Sequence, residues 1–177
     1  MSGFKMWDDF TQKEIRDKYK HVNGILYHLK DSGKNGRWYK AGDPVKVYKN
    51  SRGYLCFKFW RSDGYSLVIK VHRVVWYLEH GTQVKMIDHV DRNRENNAPD
   101  NLRESTSQEN AFNRGKLDGC KSKYKGVIRT QNNKWCAQIS INRRKVHLGV
   151  FLDEVDAAKA YDEAAKEHFG DYASLNF

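Results

Sequence analysis

Residues 86–113 read MIDHVDRNRENNAPDNLRESTSQENAFN, a run too rich in Asp, Asn and His to form an ordinary interior. No other stretch constrains the fold as much, because these side chains must find water or one another. A short apolar run ends in Asp88-His89, a long polar loop follows, and Asn101-Leu102-Arg103-Glu104-Ser105 reads as a second extended piece. Thr106 with Glu109 three residues on makes a capping box. That box predicts a helix from near Ser107, with Asn110 in its first turn and Asn113 and Arg114 on the same side. The expected order is strand, loop, strand, helix.

Asp88 and His89 offer two complementary chemistries. An imidazole with a pKa of about 6.5 takes a proton at neutral pH, and a carboxylate is a hard oxygen ligand for Mg²⁺. Cleaving a phosphodiester needs both a base to activate water and a cation to neutralise charge on the phosphate and leaving oxygen. The amide oxygen of Asn110 would complete the protein's share of a one-metal site. Other readings stand beside this one. Asn93, Asn96 and Asn97 also suit a solvated turn that satisfies its own backbone. Asp91-x-Asn93-x-Glu95 begins like an EF-hand calcium loop, but Asn96 stands where that loop requires glycine.

Asp88-His89-x-Asp91-x-Asn93, Asn96-Asn97, Asn101-Leu102-Arg103 and Asn110 together resemble the HNH endonucleases of the phage and intron-encoded homing group, with a ββα-metal site. Val71-His72-Arg73-Val74-Val75-Trp76 resembles the segment preceding the motif in that group. The resemblance implies that His89 is the general base, Asp88 and Asn110 are the metal ligands, and Asn101 braces the two strands through backbone hydrogen bonds. It implies one divalent metal, Mg²⁺ ahead of Mn²⁺; some members carry an auxiliary zinc site, which is not expected here because no Cys-x-x-Cys pair exists. The family usually has glycine at the place of Arg92, so the loop after Asp91 is expected to turn differently and Arg92 to meet a phosphate. Arg114 is a further expected DNA contact.

A net charge of +10 favours a polyanionic partner, and basicity alone does not separate DNA from RNA or a membrane surface. No apolar run approaches the ~18 residues needed to span a bilayer, and the N-terminus lacks a signal-peptide core, so a membrane role is disfavoured. Cys56, Cys120 and Cys136 are odd in number and far apart, which argues against disulfides and zinc fingers and for a reducing cytosol. The resemblance implies the cytoplasm of a bacterial host.

Along the chain, Phe10-Thr11-x-x-Glu14-Ile15 predicts a helix capped by Thr11, boxed by Glu14, stapled by Phe10 against Ile15 and running to about Val22. Asn23-Gly24 turns into a strand at 25–29, and 30–44 reads as a loop. Residues 54–60 and 65–71 form a hairpin through Ser62-Asp63-Gly64, with Leu55, Phe57 and Phe59 on the core face and Lys58 and Trp60 opposite. His72 to His80 reads as a helix ended by Gly81. His21, His28, His72 and His80 are taken as structural. Residues 114–123 look like a basic linker.

Beyond the linker, three short strands at 124–129, 135–141 and 145–148 precede an alanine-rich helix from Val155 to Phe169, with Asp153 as N-cap and Gly170 as stop. Tyr124-Lys125-Gly126-Val127, Lys134-Trp135-x-Ala137-x-Ile139, Leu148-Gly149-x-Phe151, the Ala157 to Ala165 pattern and Leu175-Asn176-Phe177 resemble the AP/ERF DNA-binding domain of plants. That resemblance implies a sheet lying in the major groove with the helix behind it. It implies DNA contacts at Lys125, Ile128, Thr130, Asn132, Gln138, Ser140, Lys145 and His147. Gln138 would suit adenine and Ile128 a thymine methyl, so the target should differ from the plant one. Arg129, Arg143 and Arg144 are candidates for phosphate contact.

The expected whole is an α+β chain. An N-terminal ββα-metal nuclease domain with a β-hairpin extension spans 1–114, a linker 115–123, and a three-stranded antiparallel sheet packed on one helix 124–177. The expected function is site-directed cleavage of double-stranded DNA by a monomer. The alternatives are a non-catalytic DNA-binding regulator carrying a relic nuclease unit, and an RNA-directed role.

Overall fold

The computed structural model describes residues 6–34, 37–116, 119 and 121–177. The chain divides into two compact units, Met1–Ser105 and Thr106–Phe177.

The first unit runs α1 (Asp9–Lys18), β1 (Tyr19–Val22), β2 (Ile25–His28), β3 (Ser32–Lys34), β4 (Arg37–Tyr39), β5 (Tyr48–Lys49), β6 (Leu55–Trp60), β7 (Ser66–Lys70), α2 (Val71–His80), β8 (Ile87–His89) and β9 (Leu102–Glu104). Its sheets are small and antiparallel: β1-β2, β3-β4, β5-β6-β7 and β8-β9. Phe57 and Phe59 alternate inward from β6, while Lys58 and Trp60 face out. Val74, Val75 and Tyr77 of α2, with Leu26, Ile69, Ile87 and Leu102, complete one core. Gly81 ends α2 at φ 69, a left-handed cap that glycine takes without a Cβ penalty.

The N-terminal expectation needs correction. Asp8, not Thr11, caps α1, its Oδ1 accepting from Thr11 N at 2.8 Å. The Glu14 carboxylate accepts from Ser62 N at 3.0 Å instead of closing a box. Phe10 remains exposed beneath the Arg61 guanidinium rather than stapled on Ile15. The helix stops at Lys18, and 19–22 pair with 25–28 as a hairpin turned by Asn23 (φ 48) and Gly24 (φ 82). Tyr19 packs edge-on against Phe57 in the core, so tertiary burial decides a segment whose local pattern also suits a helix. The loop expected at 30–44 contains β3 and β4.

The second unit holds α3 (Ser107–Phe112), β10 (Val127–Arg129), β11 (Trp135–Ile141), β12 (Arg144–Phe151) and α4 (Glu154–Phe169). Both bonds of the Thr106/Glu109 capping box form. Phe112 stacks on Phe169 at 3.8 Å, and Gln108 donates to Asn142, so α3 packs with this unit. The compact division therefore precedes the linker expected at 115–123, of which Leu117, Asp118 and Cys120 lie outside the described residues. The sheet order is β10-β11-β12, with α4 against one face. Ala157, Ala158 and Ala165 let α4 approach closely, and a Cβ on Gly126 would overlap the Tyr161 ring. Asp162 anchors the C-terminal segment by accepting from the backbone N–H groups of Asn176 and Phe177. Among the described residues no helix is long and apolar enough to cross a membrane, and Cys56 and Cys136 are free thiols.

Candidate functional site

The β8-β9 hairpin pairs Ile87 with Glu104, Asp88 with Arg103 and His89 with Leu102. Ile87 and Leu102 anchor it in the core, which holds the neighbouring polar residues at a fixed height. Its long loop is laced by side chains. Asn101 Oδ1 accepts from Asp91 N at 3.0 Å, and its Nδ2 donates to Asp91 Oδ1 at 2.9 Å and to the Asn96 carbonyl at 2.8 Å. Asp91 Oδ2 accepts from Asn96 Nδ2 at 2.8 Å. Asn101 thus ties both arms of the loop together, which makes it a brace. Arg92 takes φ 64, the left-handed backbone that glycine favours. Its N–H donates to the His89 carbonyl at 2.9 Å.

His89 is 4% exposed, and its Nε2 lies 3.1 Å from Asn97 Oδ1. Asn97 Nδ2 donates to the Glu95 carbonyl at 3.2 Å, so the amide turns its oxygen to the ring. A neutral imidazole then carries its proton on Nε2, and Nδ1 is the basic nitrogen. Burial holds the His89 imidazole below its ordinary pKa, against an opposing pull from the Asn97 hydrogen bond and the Asp91 and Asp88 carboxylates. His72 meets the ring at 5.1 Å and 87°, and Tyr54 lies 6.0 Å away. The turn at Gly24 presses on the same loop: a Cβ there would overlap the Asn97 carbonyl and Ala98 N.

Asp88 is buried and accepts from Arg103 Nη2 at 2.8 Å and Nε at 3.0 Å. Asn110, the other expected ligand, is half-buried on α3 of the second unit. Among the described residues no group of three His, Cys, Asp or Glu side chains is placed to hold a metal. Asp88 offers a carboxylate, a hard oxygen donor of the kind a small divalent cation takes. Sequence reasoning named Asn97 and Arg103 in the motif but missed that they pair with His89 and Asp88, and it missed Tyr54 beside His89. Asn97 carried a signal, an Asn-Asn pair inside a loop of Asx residues. The Arg103 pairing follows from strand register, which no local pattern reports.

In the second unit, antiparallel pairing sets Gln138 beside His147 and Ser140 beside Lys145, while Ile128 pairs with Cys136. Core residues Ala137 and Ile139 alternate with these, so Ile128, Gln138, Ser140, Lys145 and His147 lie on the face away from α4. A register shift at Ala137/Gln138 keeps Leu148 in the core. Thr130 and Asn132 sit in the β10-β11 turn, where Thr130 Oγ1 accepts from Lys134 N. Arg143 (φ 65) follows Asn142 (φ 51) in the β11-β12 turn, and Arg144 pairs with Ile141. Arg129 lies over the Trp135 ring at 5.6 Å. Lys125 departs from the set: its Nζ donates to the Phe112 carbonyl at 2.7 Å and lies 5.7 Å from the Tyr161 ring centroid. Arg92 and Arg114 are both exposed.

Residues 70–112 match the HNH endonuclease family. A protein of Acanthamoeba polyphaga mimivirus described as an uncharacterized HNH endonuclease is 34% identical over 90 residues, covering 51% of this chain and 46% of its own. An AP2/ERF and B3 domain-containing protein of Oryza sativa subsp. japonica is 48% identical over 56 residues, covering 32% of this chain and 15% of its own. The chain therefore spans less than half the length of either relative. A solved structure described as DNA binding and cleavage by the HNH homing endonuclease I-HmuI has a TM-score of 0.43 at 26% identity, covering 62% of this chain and 57% of its own. The family match and the mimivirus relative support an HNH endonuclease domain.

Proposed function

We propose that the chain is a metal-dependent, site-directed endonuclease of double-stranded DNA, of the homing type, acting as a monomer. The carrying observation is the buried His89, whose Nε2 lies 3.1 Å from Asn97 Oδ1 within the 70–112 match; in this reading that contact holds the Nε2 proton and Nδ1 is the basic nitrogen. His89 Nδ1 takes a proton from water as its oxygen attacks phosphorus in line. The bond to the 3′-oxygen breaks, giving 5′-phosphate and 3′-hydroxyl ends. Asp88 and Asn110 would hold one divalent cation, Mg²⁺ by donor chemistry, to offset charge on the phosphate and leaving oxygen. Asn101 keeps the loop in register so that His89 stays aimed.

The short AP2/ERF likeness supports a second assignment, that residues 124–177 hold the enzyme on its target through the outer face of β10-β12. In this reading 1–114 cuts and 115–123 links. The charge of +10 suits a DNA partner, and the bacterial cytoplasm is the proposed setting.

The test is relaxation of supercoiled plasmid with Mg²⁺ or with EDTA, by wild type and His89→Ala. Cutting by wild type with Mg²⁺, and a drop of about 10²–10⁴-fold in His89→Ala with duplex binding kept, is the expected result. Undiminished cutting by His89→Ala would refute the assignment of the base.

A further inference from the structure

Lys70 ends β7 and is the N-cap of α2. Its ammonium lies 4.6 Å from the Tyr54 ring centroid, and the Arg94 guanidinium lies 4.9 Å from the same centroid. The Tyr54 ring also meets His72 at 5.1 Å and His89 at 6.0 Å, so both cations stand one ring away from the proposed base. Arg94 Nη1 donates to the Arg52 carbonyl at 2.6 Å, which fastens the β8-β9 loop to the turn before β6.

Burial, and after it the like charges of Arg73, Arg52 and Arg94 against an opposing pull from Cys56, hold the Lys70 ammonium below the ordinary lysine range. Arg73 is committed elsewhere, donating to the carbonyls of Val84 and Lys85. The start of α2 adds to the same field, with no acidic residue in its first turn and no side-chain cap. A helix start favours negative charge, and here a lysine occupies it. Exposed lysines ordinarily extend into water, whereas Lys70 is half-buried on an aromatic ring among other cations. This arrangement costs the free protein stability, and an anion laid across the group would remove that cost.

We infer that Lys70 and Arg94, gathered around Tyr54 beside His89, form a phosphate-binding site that grips the DNA backbone next to the bond being cut. The inference rests on reading residues 70–112 as a DNA-cutting unit. The ligand atoms are the non-bridging oxygens of a phosphodiester, taken by charge and hydrogen bonds without regard to base sequence. Tyr54 is the floor that keeps the two long side chains from folding away.

The test measures duplex binding in EDTA across a salt series for wild type, Lys70→Met, Arg94→Gln and His89→Ala, with a thermal melt of each. Lys70→Met should weaken binding about tenfold at ~0.1 M salt and lower the slope of log K against log[salt] by about 0.9. Its melting temperature should hold or rise, because like-charge repulsion is relieved. Arg94→Gln should lose slope similarly, while His89→Ala keeps the wild-type slope. Wild-type affinity and slope in both cation variants, with a lower melting temperature, would overturn the inference and make the cluster structural. Loss of slope in Lys70→Met with no cutting by wild type would sink the nuclease reading alone. Cutting that depends on His89, with an unchanged slope in Lys70→Met, would sink this inference alone. No duplex binding by wild type would sink both.

Discussion

The β8-β9 loop and the outer face of β10-β12 are both rich in polar side chains, yet they use them in opposite ways. In the loop, Asp91, Asn96, Asn97 and Asn101 bond to one another, to His89 and to the backbone. On the sheet, Gln138, Ser140, Lys145 and His147 make no side-chain hydrogen bond among the described residues, and the strand ladder holds their backbone. Under the proposed function that difference is expected: moving a proton requires atoms fixed to fractions of an ångström, and reading a base pair requires donors and acceptors still on offer.

The severest challenge to the scaffolded side is Gly24→Ala. A Cβ at φ 82 would run into the Asn97 backbone, so the first unit should lose about 3 kcal/mol in urea denaturation. A loss under ~1 kcal/mol would mean that the loop does not depend on this turn. Gln138→Ala probes the other side. It should cost about 1–3 kcal/mol of discrimination at one base pair, scored on a panel of duplexes, while stability moves by less than ~0.5 kcal/mol. Destabilisation instead would place Gln138 with the scaffold.

Acid sharpens the contrast further. Burial lowers the imidazole pKa of His28, and that of His72 well below the ordinary value, with His89 and the Lys70 and Arg73 charges adding to the effect on His72. Below about pH 6.5 the unfolded chain binds protons that the folded unit refuses, so stability falls as pH drops toward the folded values. Urea midpoints at pH 7.5 and 5.5 should show that fall, and His72→Phe should flatten it. An equal fall in His72→Phe would remove His72 as a cause. Arg92→Gly carries the smallest effect, a gain of about 0.5 kcal/mol from relieving the left-handed backbone. A net loss on denaturation would show that the Arg92 side chain stabilises the loop more than its backbone strains it.

Much of this was legible in the amino-acid order because it is local. The Thr106/Glu109 box, Asp153 and Gly170 around α4, Gly81 after α2 and the β6-β7 hairpin each depend on residues within one turn or one ladder step. The two candidate catalytic side chains of β8 are legible for the same reason, being adjacent and of telling chemistry. The fate of 19–22 was not, since Tyr19 chose the core over the helix only when Phe57 stood ready to receive it. Nor was the Asp88–Arg103 pair, the seat of Asn97 on His89, the pressure of Gly24 on the loop, or the gathering of α3 to Phe169. Sequence settles interactions whose partners are a few residues apart, where chain geometry alone brings them together. Register and packing settle the rest, because a contact across tens of residues exists only after the core has placed both ends.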